Sequence, residues 1–252
     1  MRRLPLVAAV VVAVLAPGAA PAQTLAGPWV ELGADNKLSV RVVVGSGVAA
    51  CPQVFADGKE LEAKQRGAAD GDFPVTVCAA EVPLTTKALT IDKTAVPVLP
   101  ATVNRIVVIG DTGCRIEGKA VQNCDNVDEW PFPVIAREAA ARNPDLVIHV
   151  GDYYYRETAC PAGQSGCANS PHGDNWDAWK ADLMAPATPL FKAAPWLWCA
   201  AITSYANAAA RGGRDSSTRA PRRLNARIDR RPIGFISAGS TCCFSTMRMP
   251  TT

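Results

Sequence analysis

The sequence predicts an α/β domain with a parallel sheet, preceded by a small all-β domain of sandwich type. Residues 24–100 contain short β-branched segments between turns, whereas residues 103–198 alternate continuous apolar runs with a helical segment. The chain has 252 residues and is 48% hydrophobic, so it is long enough to bury a core in one large or two smaller domains. Wholesale disorder is therefore excluded.

Charge is distributed unevenly along the chain. The net charge is +3, but residues 199–252 hold nine Arg, no Lys and two acids, about +7, and residues 1–198 sum to about −4. This pattern excludes a uniformly basic nucleic-acid binder, and we expect no nucleic acid among the partners. Only two His occur, His149 and His172, which argues against a His-rich metal site.

Residues 1–22 have the organisation of a secretory signal peptide. Arg2 and Arg3 form a basic start, Leu6–Leu15 is an apolar run too short to span a bilayer, and Ala20-Pro21-Ala22 has the pattern of a cleavage site. We expect a secreted or periplasmic protein with no membrane attachment after cleavage. The alternative is an uncleaved anchor.

Export would permit disulfides, and the chain has nine cysteines. Cys51 and Cys78, Cys114 and Cys124, and Cys160 and Cys167 form plausible pairs within local segments. Spacing alone does not prove this connectivity. No pair has the C-x-x-C spacing of a zinc ribbon.

The region of residues 24–100 carries strand signals but no chemical motif. Leu38–Val42, Val75–Cys78 and Ala88–Ile91 are rich in alternating or β-branched residues, and Asp-Gly pairs and prolines mark the turns. We expect this domain to serve packing or orientation, with ligand binding as the alternative.

A βαβ unit is predicted after a Pro-containing linker at residues 97–102. Arg105–Ile109 and Asp145–Val150 are continuous apolar runs typical of strands buried on both faces, and Phe132–Arg142 is typical of a helix. A second helix is expected over Trp176–Leu183, with Asn175 as its cap, and a further buried strand over Ala194–Trp198. Such a unit brings parallel strands together.

Both strands of this unit end in a Gly-Asp motif. The first runs into Gly110-Asp111-Thr112-Gly113, and the second into Gly151-Asp152-Tyr153-Tyr154-Tyr155. Ligands of open α/β sheets bind outside the carboxyl ends of strands, so Asp111 and Asp152 are expected at one rim. Two such carboxylates repel each other unless a cation lies between them, and hard metal ions favour oxygen ligands. An isolated Gly-Asp often only caps a turn, but two of them across one βαβ unit favour a metal site.

These motifs resemble those of the calcineurin-like metallophosphoesterases, and within them the purple acid phosphatases. The family's blocks are GDxG, GDxxY, GNH followed by an acid, a lone His, and GHxH. Other phosphoesterases place a His where this chain has Gly113, and the purple branch supplies a Tyr ligand, which matches Tyr155. The resemblance implies that Asp111 binds one metal, Asp152 bridges two, and Tyr155 is the phenolate ligand of ferric iron.

The resemblance, which covers roughly residues 105–198, also implies a fold and an activity. The fold would be a parallel-sheet metallophosphoesterase sandwich, and the centre would pair Fe with Zn, Mn or Fe. A metal-activated hydroxide would hydrolyse a phosphorylated small molecule or phosphoprotein. Tyr153 and Tyr154 are expected to pack or lie at the rim, His149 to be a core residue, and His172 to be a surface residue.

The family pattern breaks after Trp198, where the GNH block should follow. The chain there reads Cys-Ala-Ala-Ile-Thr-Ser, and the following residues are rich in Arg, Ala, Ser and Thr. A shifted frame joins the third base of each codon to the first two of the next. Cys199 to Ser204 then supply the doublets GC, GC, AT, AC and AG, which permit Arg-Gly-Asn-His-Glu. We therefore interpret residues 199–252 as an out-of-frame, poorly ordered tail, from a sequencing error or a real lesion.

The consequence is an incomplete C-terminal half of the phosphoesterase domain. The GNH and GHxH blocks are missing, no catalytic residue is present because the family's acid/base His is absent, and we expect impaired activity and exposed apolar strand faces. The alternative is a non-catalytic secreted binding module with a relic phosphoesterase domain. Nucleic-acid binding by the Arg-rich tail ranks last, since the frameshift explains those arginines.

Overall fold

The structure is a computed structural model that describes residues 23–33, 37–66 and 69–199. The predicted signal peptide and the predicted out-of-frame tail from residue 200 onward lie outside these ranges. The strands are β1 (Thr24–Leu32), β2 (Leu38–Gly45), β3 (Val54–Ala56), β4 (Lys59–Leu61), β5 (Lys64–Gln65), β6 (Val75–Val82), β7 (Leu89–Ile91), β8 (Thr94–Val96), β9 (Ile106–Ile109), β10 (Ile116–Glu117), β11 (Ala120–Val121), β12 (Leu146–His149) and β13 (Trp196–Trp198).

The helices are few and short. They are α1 (Phe132–Ala140), α2 (Trp176–Trp179) and α3 (Thr188–Ala193), with a 3₁₀ turn over Ser165–Cys167 and a π-helical turn over Lys180–Met184. None of the helices in the described part of the chain has the length and apolar character needed to span a bilayer.

The largest sheet is mixed and contains strands from both predicted regions. Its order is β5-β6-β2-β1-β13-β12-β9. The strands β5, β6, β2 and β1 pair antiparallel, whereas β1, β13, β12 and β9 pair parallel. The predicted boundary at residues 100–103 lies in the connection between β8 and β9. Strands from both sides of it hydrogen-bond in one sheet, with Glu31 opposite Trp196.

A smaller sheet, β4-β3-β7-β8, forms the other layer of the N-terminal region. Val40 and Val42 of β2 share one buried apolar cluster with Val54 of β3 and Ile91 of β7. The two layers bury alternate side chains of their strands, as in a β-sandwich. One sheet of this sandwich is therefore the sheet that continues into the α/β region.

The βαβ unit has the predicted order. β9, α1 and β12 follow in sequence, and β9 pairs parallel with β12, Ile106 opposite Leu146. Pro131 is the N-cap of α1 and Pro133 lies in its first turn, where a missing N–H costs nothing. The Asn175 side chain accepts a hydrogen bond from Ala178 N at the start of α2, as predicted.

The prediction that both strands are buried on both faces is wrong for β9. All four residues of β12 are buried, but Ile106 and Val108 of β9 are 41% and 61% exposed. The physical reason is position: β12 lies between β13 and β9, whereas β9 is the edge strand of the sheet formed by the described residues. Ile135 of α1 and Val150 after β12 are also exposed.

Within the described residues, three disulfides join the cysteines that sequence spacing paired. They connect Cys51 with Cys78, Cys114 with Cys124, and Cys160 with Cys167. Disulfides persist in oxidising compartments, so these bonds are compatible with an exported protein.

Candidate metal site at the rim of the parallel strands

The two Gly-Asp turns lie side by side at the carboxyl ends of β9 and β12. The pairing of these strands continues past their ends, because Val150 N donates to Ile109 O at 2.8 Å. Asp111 N then donates to Gly151 O at 3.3 Å, and Thr112 N to Asp152 O at 3.1 Å. Backbone hydrogen bonds therefore hold the two motifs in register.

Both motif aspartates have left-handed backbone conformations. Their φ angles are 52° for Asp111 and 57° for Asp152. Asp is one of the few residues other than Gly that enters this region without a large steric cost. Each turn thus bends sharply at the aspartate itself, which presents two carboxylates at one edge of the sheet.

Gly113 allows the first turn to contact the second. A Cβ atom on this residue would lie 2.4 Å from Tyr155 N and 2.7 Å from two backbone atoms of Tyr154. No side chain fits at that distance, because the neighbouring atoms are rigid backbone. The glycine that ends the first motif is therefore required for the close approach of the two turns.

The three predicted metal ligands converge. The Tyr155 phenol donates a hydrogen bond to Asp111 Oδ1 at 2.6 Å, and the Asp152 carboxylate is a second possible acceptor for the same proton. Burial raises the pKa of Tyr155, and its hydrogen bonds to the two aspartates and their negative charges raise it further. The phenol is therefore protonated at neutral pH in this arrangement, and a cation that takes the phenolate as a ligand must displace that proton.

The side-chain oxygens of Asp111, Asp152 and Tyr155 could supply part of the ligand set of one hard metal ion. Two carboxylates and a phenol supply three oxygen donors, and oxygen donors suit hard cations. Within residues 23–33, 37–66 and 69–199, no group of three His, Cys, Asp or Glu side chains is placed to hold a metal ion. The described residues therefore do not complete the dinuclear centre that the family resemblance implies.

A cavity of about 800 Å³ opens beside the rim. Asp111, Tyr155 and Arg115 contribute to its wall, together with apolar side chains of β9 and α1. The Arg115 guanidinium lies 4.1 Å from the centre of the Tyr155 ring, and its Nη1 also contacts Glu117 Oε2 at 3.2 Å. A cation over the ring holds the phenol side chain against the hairpin formed by β10 and β11.

His149 lies beneath the rim, where it contacts both turns. It is fully buried and stacks on Trp198, with ring centroids 5.7 Å apart. Gly151 N donates to Nδ1 at 3.2 Å, so Nε2 carries the proton and donates to Thr112 Oγ1 at 2.9 Å. Burial lowers the pKa of His149 to about 3. The prediction of a core histidine is confirmed.

The other aromatic predictions at this site are also confirmed. Tyr153 is buried and packs against His149, with ring centroids 4.4 Å apart. Tyr154 packs against Trp179 at 4.9 Å. His172 is exposed in the loop before α2, as expected for a surface residue.

Asp182 was not identified as a site residue from the sequence. It is fully buried, and it hydrogen-bonds with backbone N–H groups of both rim segments. A signal for it does exist: Asp182 follows Trp179 by three residues, so an acid falls on the apolar side of the predicted helix. An acid on such a face needs a buried partner, which here is Arg156.

Comparison with known proteins gives one weak structural similarity. No protein-family model matches the chain, and no curated protein matches it. Among solved structures, it is similar to the purple acid phosphatase PPD1 isolated from seeds of yellow lupin (Lupinus luteus). The TM-score is 0.40 and the identity 12%, over 69% of this chain and 34% of that one. The chain thus spans about a third of the length of that structure.

Proposed function

We propose that this chain carries the strand-end part of a metal-dependent phosphoesterase site. The protein is exported, to the periplasm or outside the cell, and the intact enzyme hydrolyses phosphate esters of small molecules or phosphoproteins. Asp111, Asp152 and Tyr155 are the metal ligands in this proposal. The chain as written is impaired, because the GNH and GHxH blocks are missing.

One observation carries the proposal: the phenol of Tyr155 contacts the carboxylate of Asp111 at 2.6 Å. These residues are 44 positions apart, and two separate strands deliver them to the same rim. A purely structural Gly-Asp turn has no need of a second carboxylate and a phenol at this contact. The grouping of three oxygen donors beside an open cavity is instead typical of a cation site.

The chain's own residues bind and orient the cation. Bound metal ions lower the pKa of a coordinated water and stabilise negative charge on a phosphoryl group. Asp111 and Asp152 would supply negative charge to a bound cation, and Tyr155 would hold it as a phenolate after its phenol proton has passed to solvent. The rigid turns below hold these oxygen atoms in place, which limits the entropy lost on binding.

Metal binding by the full chain tests this proposal. We expect titration calorimetry with Mn²⁺ or Zn²⁺ to give one ion per chain, and Tyr155→Phe to weaken binding at least tenfold. With Fe³⁺, the wild-type chain should show a visible phenolate-to-iron absorption band that the variant lacks. Tyr154→Phe is the matched control, since that neighbouring phenol packs on Trp179 instead.

The outcomes separate the enzyme from the alternative module. Stoichiometric metal, lost in Tyr155→Phe and kept in Tyr154→Phe, supports the phosphoesterase assignment. Hydrolysis of p-nitrophenyl phosphate by this chain should be slow or absent even with metal bound. A chain that binds no metal at all contradicts the proposal and favours a non-catalytic binding module.

A further inference from the structure

One buried carboxylate joins the two rim turns. The Asp182 side chain is fully buried, yet both of its oxygens accept hydrogen bonds. Oδ1 accepts from Cys114 N at 3.1 Å and from Arg156 Nε at 2.5 Å. Oδ2 accepts from Tyr155 N at 2.8 Å and from Arg156 N at 3.3 Å.

The backbone donors belong to the two motifs that supply the proposed ligands. Cys114 directly follows the first motif, and Tyr155 is the last residue of the second. Oδ1 and Oδ2 of one carboxylate therefore contact the two turns separately, and the carboxylate's fixed width sets the spacing between these segments. The contact also lies directly beside the point where Gly113 leaves no room for a side chain.

The charge of Asp182 is compensated inside the protein. Arg156 is also almost fully buried, and its guanidinium lies 5.3 Å from the centre of the Trp130 ring. Trp130 Nε1 donates to Thr112 O at 2.9 Å, so this network returns to the first turn. A buried carboxylate with four hydrogen bonds and an arginine partner is held rigidly, because each lost contact would leave a polar group unpaired.

We propose that Asp182 is a positioning residue that sets the placement of Tyr155 relative to Asp111, and thereby the metal affinity of the rim. It does not contact the metal itself. This inference rests on the proposed metal site. It means that a residue of the helical turn Lys180–Met184, outside both Gly-Asp motifs, controls the geometry of that site. Outer residues that orient metal ligands commonly change affinity by about 10- to 100-fold.

The test is Asp182→Asn in the full chain, with Glu31→Gln as the matched control. Asn keeps one oxygen acceptor, so one of the two turns loses its contact. Glu31 is a buried carboxylate paired with Arg41 on β1 and β2, and that pair belongs to neither turn. We expect Asp182→Asn to weaken Mn²⁺ or Zn²⁺ binding by the folded protein about tenfold or more, and Glu31→Gln to leave it within twofold.

A second readout does not require metal. Amide hydrogen exchange at Tyr155 and Cys114, compared with the global unfolding rate, should be faster in Asp182→Asn and unchanged in Glu31→Gln. If Asp182→Asn does not fold, Asp182→Glu keeps the charge but shifts the carboxylate by one methylene. It should fold and still weaken metal binding.

The outcomes also distinguish this inference from the proposed function. If the wild-type chain binds no metal, the metal site fails, and with it the affinity role of Asp182. The exchange data then show only whether Asp182 holds the two turns. If the wild type binds metal and the Asp182 variants bind within twofold of it, the positioning role is overturned while the metal site stands.

Discussion

Single residues at the rim have conformations that suit their proposed roles. Asp111 and Asp152 both occupy the left-handed region, and Gly113 leaves the space through which the turns meet. Tyr155 is fixed on its two sides, by the carboxylate of Asp111 and by the guanidinium of Arg115. These contacts restrict the positions of the oxygen atoms that the proposal assigns as metal ligands.

His149 should make stability depend on pH. Burial lowers its pKa to about 3, against 6.5 in the unfolded chain. The unfolded state therefore binds one more proton between these values. The stabilising contribution of neutral His149 is complete above pH 6.5 and is lost as the pH falls toward 3. The loss approaches about 1.4 kcal/mol per pH unit, or roughly 2 kcal/mol between pH 6.5 and 5.

Urea unfolding of the wild type and of His149→Asn at pH 7 and pH 5 measures this effect. Asn keeps an acceptor near the position of Nδ1 but does not titrate. The free energy of unfolding of His149→Asn should therefore fall less than that of the wild type on acidification, by roughly 2 kcal/mol. His172→Asn, at the exposed histidine, should behave like the wild type. Equal pH slopes for the wild type and His149→Asn would show that His149 is not the group that titrates.

At the level of elements, the β10–β11 hairpin is tied to the rim by a disulfide. Cys114 follows the first motif directly, and its bond to Cys124 closes a loop that contains the hairpin. Arg115 lies in this loop, directly before β10. Arg115 N also donates to Gln122 Oε1 at 2.7 Å, which closes the base of the hairpin. The element that holds the Tyr155 ring is thus anchored next to the first motif.

Replacing Cys114 and Cys124 together by Ala should cost about 2–3 kcal/mol of folding free energy, the amount expected for a loop closed over 10 positions. It should also weaken metal binding several-fold, because the disulfide fixes the segment whose backbone N–H, at residue 114, donates to Asp182. The matched control is the double Ala variant of Cys160 and Cys167, whose loop is similar in length but does not adjoin either motif. Urea unfolding and metal titration measure the two effects. Equal metal affinities for the two double variants would contradict a link between the hairpin and the site.

At the level of the whole molecule, the large sheet ends on one side at β9. Ile106, Val108, Ile135 and Val150 expose apolar surface around that edge in the described part of the chain. Exposed apolar side chains of this size on an edge strand are a liability for a monomer in water.

The nucleotide sequence after the codon for Trp198 tests the reading-frame hypothesis. We expect the alternate frame to encode GNHE directly after that strand. The protein translated in that frame should bind two metal ions per chain, hydrolyse p-nitrophenyl phosphate and bind less of an apolar dye than this chain does. The same protein carrying Asp152→Asn is the control for metal-dependent activity. An alternate frame without GNHE would refute the hypothesis.

Local signals were enough to identify much of this protein. Apolar runs predicted β9, β12 and β13, prolines placed the start of α1, and short separations paired six cysteines. The convergence of Asp111 and Asp152 also followed from sequence order, because neighbouring parallel strands end at the same edge, whereas Tyr155 was expected there from the family resemblance. In each case the decisive interactions lie within a strand, a turn or one βαβ unit.

Other features depended on contacts between distant segments. The parallel pairing of β1 with β13, Glu31 opposite Trp196, merges two regions that the sequence separates, and it leaves β9 at an edge. The bridging role of Asp182 also requires the helical segment to pack beneath both turns. Sequence pattern determined which residues can form strands, turns and ligands, since those preferences are local. The tertiary structure decided which neighbours they meet, since that depends on how the whole chain buries its apolar surface.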